Sequence, residues 1–118
     1  MPEYMLLLYA TEVEGAELAE REAELPVWQQ LNESLAEAGL LVAAGRLHPT
    51  TTATTVREPA GGEAELTDGP FAITKEVLAG YYLVEAPNLD EALSVAKRIP
   101  LTRYGSVEVR PVMDLGGD

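Results

Sequence analysis

The chain contains no cysteine, which excludes disulfide bonds, a thiolate nucleophile and any metal site built on thiolate ligands. Its single histidine could not form a multi-histidine metal site without further chains. Basic residues are also scarce, with eight lysines and arginines against twenty acidic residues and a net charge of −12. A duplex-binding protein needs a basic face to displace counterions. We therefore predict no nucleic-acid partner, no metal and no cofactor.

Long apolar runs are absent as well. The run Met5–Tyr9 is too short to span a bilayer or to form a signal-peptide core, and no basic leader precedes it. An anionic membrane surface would repel a chain of this charge. These observations predict a cytoplasmic protein that does not associate with membranes.

What is present is an ordinary globular composition, with 47% hydrophobic and 24% charged residues in a chain of 118. A protein of 12.7 kDa buries roughly two thirds of the surface of its unfolded chain, which is enough for one core. No repeat or linker interrupts the sequence. We predict a single domain over residues 1–118.

Four segments are predicted to be strands of one sheet. Glu3–Tyr9 and Leu78–Ala86 are apolar on both faces, which is typical of central strands. Residues 51–57 are rich in threonine, and Ser106–Met113 alternates between apolar and polar residues. We expect these two half-polar segments to form the edges of the sheet.

Helical spacing of apolar residues predicts a first helix over about residues 18–38. Trp28 belongs to its apolar stripe and is expected in the core. Because proline suits only the first turn of a helix, the ordered part is expected to begin near Pro26 and to end at Gly39. A second helix is expected to begin at Asn88, which is a favourable N-cap.

Residues 63–67 follow a turn at Pro59–Gly62 and are predicted to pair with residues 51–57 as a hairpin. The resulting order predicts an α+β fold, a ferredoxin-like βαββαβ antiparallel sheet with an extra hairpin strand. Both helices would cover one face of this sheet and leave the other face apolar and open. We therefore expect a homodimer that packs sheet against sheet.

Several motifs resemble those of one family. The run Asp68-Gly69-Pro70-Phe71, followed by Thr74-Lys75-Glu76 and Ala79-Gly80-Tyr81-Tyr82, resembles the DGPF family, as do Gly45–Pro49 and Gly105–Pro111. DGPF proteins belong to the wider YCII-related group. The resemblance covers about residues 3–113 and implies a dimeric α+β barrel in which two ferredoxin-like sheets face each other.

The same resemblance implies little about activity. Some YCII-related members are similar to enzymes that eliminate chloride from chlorinated aromatics with a His–Asp pair, whose histidine lies in the first strand–helix region. Residues 11–39 of this chain contain no histidine, so that pair is not carried over. Family members also accompany extracytoplasmic-function sigma factors, which suggests a regulatory or stress-linked role.

His48 and Asp68 are the candidate catalytic residues. His48 is the one side chain that changes charge near neutral pH, and Asp68 follows the predicted hairpin. Pairing of the hairpin strands would bring positions 48 and 68 together, and a carboxylate beside an imidazole suits a general base. Alternatively, Asp68 caps its own Asp-Gly-Pro turn and His48 only packs there.

Four further residues are candidates for binding a ligand. Glu108 and Arg110 alternate with valines and are expected to face the barrel interior or its rim, where Arg110 would hold an anionic group. The alternative is an ion pair with a neighbouring strand. Tyr81 or Tyr82 must point to the same face, since adjacent strand residues alternate. Its hydroxyl would line a cavity or make a single hydrogen bond in the core.

Gly80 lies inside a predicted central strand, where glycine is costly unless another group must approach closely. A bulky residue at this position is expected to destabilise the fold or to block the barrel interior.

Two functions remain open at this point. The first is a small-molecule-binding barrel, lyase- or isomerase-like, that uses His48 with Asp68 as an acid–base pair and Arg110 for an anionic group. The second is a non-catalytic binding or regulatory module whose partner is a protein or a small signal. A buried pocket that converges on these three side chains would favour the first, and a filled barrel interior would favour the second.

Overall fold

The computed structural model of the protein describes residues 1–72 and 74–116. Over these residues the chain forms six strands and three helices, with short 3₁₀ turns at Thr50–Thr52 and Pro100–Arg103. In chain order the elements are β1 (Glu3–Ala10), α1 (Gly15–Glu22), α2 (Leu25–Glu37), β2 (Leu41–Arg46), β3 (Thr54–Arg57), β4 (Glu65–Asp68), β5 (Val77–Glu85), α3 (Leu89–Lys97) and β6 (Gly105–Pro111).

The main sheet has four strands in the order β2-β5-β1-β6, and each neighbouring pair is antiparallel. The two strands that are apolar on both faces, β1 and β5, occupy the centre, as predicted. Helical connections link β1 to β2 and β5 to β6. The α+β antiparallel fold is thereby confirmed, and its strand order is compatible with a ferredoxin-like arrangement.

Residues 51–57 were predicted to form an edge strand of the main sheet, and this prediction is wrong. That edge is β2, which runs alongside β5, whereas β3 pairs with β4 in a separate two-stranded sheet. β2 can lie this close to β5 because Gly80 of β5 has no side chain. A Cβ atom on Gly80 would lie 2.7 Å from the carbonyl oxygen of Gly45 in β2. The hairpin itself is confirmed, with Thr54 opposite Asp68 and Arg57 opposite Glu65.

The predicted first helix is divided into α1 and α2, which are separated by two residues. Pro26 is in the first turn of α2, where its missing N–H has no intrahelical partner to lose, and Gly39 follows the helix with a φ of +75°. At the start of α3 the Asn88 side chain accepts a hydrogen bond of 2.9 Å from the backbone N–H of Glu91, as its predicted N-cap role requires. Within residues 1–72 and 74–116, no helix is long and apolar enough to cross a membrane.

Alternation along the central strands divides the sheet into two faces. The core lies on the helix-facing side, where Leu6 and Val84 pack with Leu35 and Ile99, all nearly inaccessible to solvent. Four half-buried apolar residues form what we call the outer sheet face. They are cross-strand neighbours in two rows: Met5 with Leu83, and Leu7 with Tyr81.

Candidate functional site

A cavity of about 460 Å³ lies between the helix-facing side of the sheet and the helical layer. This volume is typical of sites that bind small molecules. Strands β1, β2 and β5 and helices α1 and α2 all contribute to its wall. The wall is mostly apolar, and its apolar members include Leu8, Leu18, Leu25, Leu78 and Leu101.

Aromatic side chains form one part of the wall. Tyr82 is only 3% exposed, and its ring stacks on that of Trp28 with centroids 6.4 Å apart and an angle of 20° between the planes. The Tyr82 hydroxyl donates a hydrogen bond to Oδ1 of Asn32. Burial raises the pKa of Tyr82, so this hydroxyl keeps its proton and remains a donor. Trp28, which was expected only in the core, packs against the core and also lines the cavity.

Positively charged side chains occupy another part of the cavity wall. Arg21 and Arg46 line it together with His48, so two of the eight basic residues and the only histidine are grouped there. Arg46 lies opposite Gly80 in the β2–β5 pair, which places both residues on the helix-facing side. Strand alternation places position 48 on the same side, just beyond the end of β2.

Arg21 is held by two contacts. Its Nη1 donates a hydrogen bond of 2.7 Å to the carbonyl oxygen of Thr11, and its guanidinium lies 4.2 Å from the centre of the Tyr104 ring. Burial and the nearby Glu24 carboxylate raise the pKa of Tyr104, and the charges of Arg21 and Arg46 act in the opposite direction. Arg46 has neither of these contacts and is exposed, so it is the better placed of the two arginines to meet a ligand.

Glu12 connects the two sides of the cavity mouth. Its carboxylate accepts hydrogen bonds from the backbone N–H of Thr50, at 2.9 Å, and from the Thr50 hydroxyl. The hydroxyl and then the amide lower the pKa of Glu12, so the carboxylate stays ionised at neutral pH. Because Thr50 is two residues from His48, this contact fixes the segment that carries the histidine against the end of β1.

Two of the predicted site residues, His48 and Tyr82, line this cavity. Asp68 is exposed on β4, opposite Thr54, and is not part of the cavity wall. In the part of the chain that the structure describes, no hydrogen bond or ion pair joins Asp68 to His48. The His48–Asp68 pair therefore stays a prediction, and a 3₁₀ turn that the sequence did not reveal lies between His48 and the hairpin.

The other three predicted ligand residues lie on the opposite side of the sheet. Glu108 is aligned with Leu7, and Arg110 with Met5, so both residues border the outer sheet face. Their side chains approach to 3.6 Å, and both are well exposed, which makes the ion pair weak. The Tyr81 ring covers Gly45 on that same face, since a Cβ atom on Gly45 would lie 2.7 Å from the ring.

Sequence reasoning missed Glu12 and Arg46 as site residues. Arg46 belongs to the Gly45–Pro49 motif and is two residues from His48. Had the segment been predicted as a strand, alternation would have placed both on one face. Glu12 is one of several glutamates in residues 12–24, and its contact with Thr50 spans 38 residues, which no local pattern indicates.

The fold and the cavity define an α+β protein whose antiparallel sheet and helices enclose a small-molecule-sized site. The chain matches the YCII-related domain over residues 3–116, and it belongs to that family. Over 80 residues it is 51% identical to an uncharacterized protein, R00369, of Rhizobium meliloti (strain 1021). That alignment covers 64% of this chain and 62% of the relative. The predicted membership of the YCII-related group is confirmed.

Proposed function

We propose that the protein binds a small aromatic or apolar molecule with an anionic group, and that His48 transfers a proton to or from it. The observation that carries this proposal is the meeting of an aromatic wall and positively charged side chains in one cavity. The ligand's ring would lie against Trp28 and Tyr82. Its anionic group would lie near Arg46 and His48.

Charge supports an anionic ligand for a specific reason. The chain as a whole carries −12 and would repel an anion in solution. Arg21 and Arg46 nevertheless line the cavity. Of the two carboxylates in the same wall, Glu12 and Glu22, the first is already occupied by Thr50. A guanidinium with free donors binds a carboxylate through two parallel hydrogen bonds. We assign this role to Arg46.

Proton transfer is the chemistry that fits the remaining groups. The neutral imidazole of His48 would accept a proton from an acidic C–H of the ligand, which leaves an enolate or a related anion. The imidazolium would then return the proton at another atom in an isomerisation, or an adjacent leaving group would depart in an elimination. The Tyr82 hydroxyl already donates to Oδ1 of Asn32, so the side-chain NH₂ group of Asn32, in the same wall, would donate the hydrogen bond to the developing oxyanion. The reaction class is therefore lyase- or isomerase-like.

Replacing Arg46 by glutamine is expected to weaken binding of an aromatic carboxylate by about tenfold, because a charge-assisted hydrogen bond is lost. The probes are benzoate and its neutral counterpart benzyl alcohol. Trp28 is the only tryptophan and lines the cavity, so its fluorescence reports binding directly. Exposed Lys97 on α3 provides a control, since Lys97→Gln removes the same charge. Equal affinity of the wild-type protein for both probes would contradict the proposal, as would equal losses in the two variants.

Replacing His48 by glutamine is expected to abolish catalysed hydrogen exchange while benzoate still binds. The probe is phenylpyruvate, which combines an aromatic ring, a carboxylate and an acidic methylene group. Incorporation of deuterium at that methylene in D₂O is followed by NMR, against the rate without protein. Binding without any catalysed exchange in the wild-type protein would remove the acid–base role and favour the non-catalytic binding module.

We also propose that the outer sheet face packs against the same face of a second copy, which would complete a dimeric α+β barrel of the DGPF type. The half-buried apolar rows of β1 and β5 support this, since a monomer seldom exposes such a face. In this arrangement Tyr81, Glu108 and Arg110 lie at or around the barrel interior. The cavity lies on the other side of the sheet.

A further inference from the structure

The hairpin formed by β3, β4 and the turn between them, residues 54–68, is here called the arm. Its strands pair with each other in a sheet separate from the main one. The radius of gyration is 16.4 Å, against about 13.5 Å for a compact chain of this length. The molecule measures 47 × 47 × 18 Å, so it is a thin plate, and the arm extends the plate rather than folding over a face of the sheet.

The arm and the segment just after it carry apolar side chains that are largely exposed, although the Arg57 guanidinium lies 5.3 Å from the centre of the Phe71 ring. Val56 and Leu66 are cross-strand neighbours and are 62% and 73% exposed. Phe71, just beyond β4, is 75% exposed. Apart from residues near the chain ends, these are the most exposed large apolar side chains of the described residues. A two-stranded hairpin alone is at best marginally stable in water, so a second surface is needed to hold it.

The base of the arm is nevertheless well defined. The N–H of Gly69 donates a hydrogen bond of 2.7 Å to the carbonyl oxygen of Ala53. The Thr55 hydroxyl donates one of 2.7 Å to the carbonyl oxygen of Gly69. Gly69 has a φ of +100°, a conformation that favours glycine. The Asp68–Phe71 motif thus sets the direction in which the arm leaves the fold and presents Phe71 at its base.

We propose that the arm docks on a second copy of this chain, an inference that rests on the dimer proposed above. The chain exposes 8312 Å², about 2,100 Å² more than a compact monomer of its mass. Each subunit of an obligate homodimer buries roughly 1,000–2,500 Å², so the excess matches what such a dimer needs. The outer sheet face and the arm are both apolar and both occur on every copy. A twofold arrangement covers the two surfaces together.

Docking of the arm also bears on the cavity. His48 and Pro49 lie just before the arm and Val77 and Leu78 lie beyond it, and all four line the cavity wall. An arm fixed on the second copy would fix this part of the wall. We therefore expect the arm contact to favour ligand binding, although no arm side chain needs to touch the ligand.

The test uses Leu66→Asp, with Thr67→Asp as the matched control on the opposite face of the same strand. Sedimentation at low micromolar concentration is expected to show a dimer for the wild-type protein. Leu66→Asp is expected to raise the dimer dissociation constant by about a hundredfold or more, since it removes a buried leucine from each half of the interface. Thr67→Asp is expected to have a much smaller effect.

A single label gives a second measurement, because the chain has no cysteine. An environment-sensitive fluorophore on Leu66→Cys is expected to move from water into an apolar site as the protein concentration rises. A label that stays in water at every concentration would overturn the proposal, as would one that is buried independently of concentration, which indicates docking on its own chain. A dimer that Leu66→Asp leaves intact would also overturn it without affecting the proposed ligand site.

Discussion

Replacing Gly80 by valine is expected to lower the free energy of unfolding by roughly 3 kcal/mol. A Cβ atom at this position would lie 2.7 Å from the carbonyl oxygen of Gly45 on β2. Backbone atoms cannot move aside as a flexible side chain can, so the β2–β5 pairing must shift. Because a domain of this size is stable by only about 5–15 kcal/mol, the loss is large. Urea unfolding monitored by circular dichroism measures it directly.

A comparison of Gly80→Ala with Gly80→Val separates the effect of the Cβ atom from the effect of a larger side chain. The clash arises at Cβ, so Gly80→Ala already loses most of the stability, and valine adds only a little. Gly62→Ala is the matched control, since its Cβ atom would meet a proline ring carbon at 3.1 Å in an exposed turn. Equal stability of Gly80→Ala and the wild-type protein would contradict the argument. Gly80 lines the cavity, so a side chain there would obstruct the ligand site, whereas the sequence pointed to the barrel interior.

The central strands could be predicted because a strand covered on both faces needs apolar residues at nearly every position. The edge strand β2 could not, since Ala43, Ala44 and Gly45 carry little intrinsic preference for a strand. Its place depends on two glycines, Gly45 and Gly80, which allow β2 and β5 to approach each other. This is a property of the pair of strands, and neither segment shows it alone.

Only part of the candidate cavity could be predicted from the sequence, because its other contacts also depend on pairs of distant segments. His48 could be chosen because it is the only histidine. Tyr81 or Tyr82 was expected on the face of Glu108 and Arg110. Tyr81 lies there, and Tyr82 lines the cavity on the other side of the sheet. Asp68 was predicted to be the carboxylate beside His48, because the hairpin was expected to begin soon after the histidine. The structure inserts a 3₁₀ turn there and brings Glu12 to Thr50 instead. Contacts between distant segments of this kind leave no local pattern.

Replacing Leu83 by lysine is expected to dissociate the proposed dimer, with sedimentation at 12.7 kDa in place of twice that mass. Leu83 lies on the outer sheet face beside Met5, and in the proposed dimer a twofold axis would bring both copies of this face together. Loss of two buried leucines costs about 3–6 kcal/mol, or a factor of a hundred or more in the dissociation constant. The lysine stem can remain against the sheet with its ammonium in water, so the monomer is expected to stay folded.

Leu93→Lys is the control for this prediction, since Leu93 is 36% exposed on α3, on the other side of the sheet. It makes the same chemical change away from the proposed interface and is expected to leave the dimer intact. Two chains of charge −12 repel each other, so an apolar interface should also strengthen as salt screens that repulsion. A wild-type protein that is a folded monomer at micromolar concentration would contradict the barrel. The same result would leave the outer sheet face and the arm without their proposed partner, while the cavity, which lies within a single chain, would still be open to benzoate.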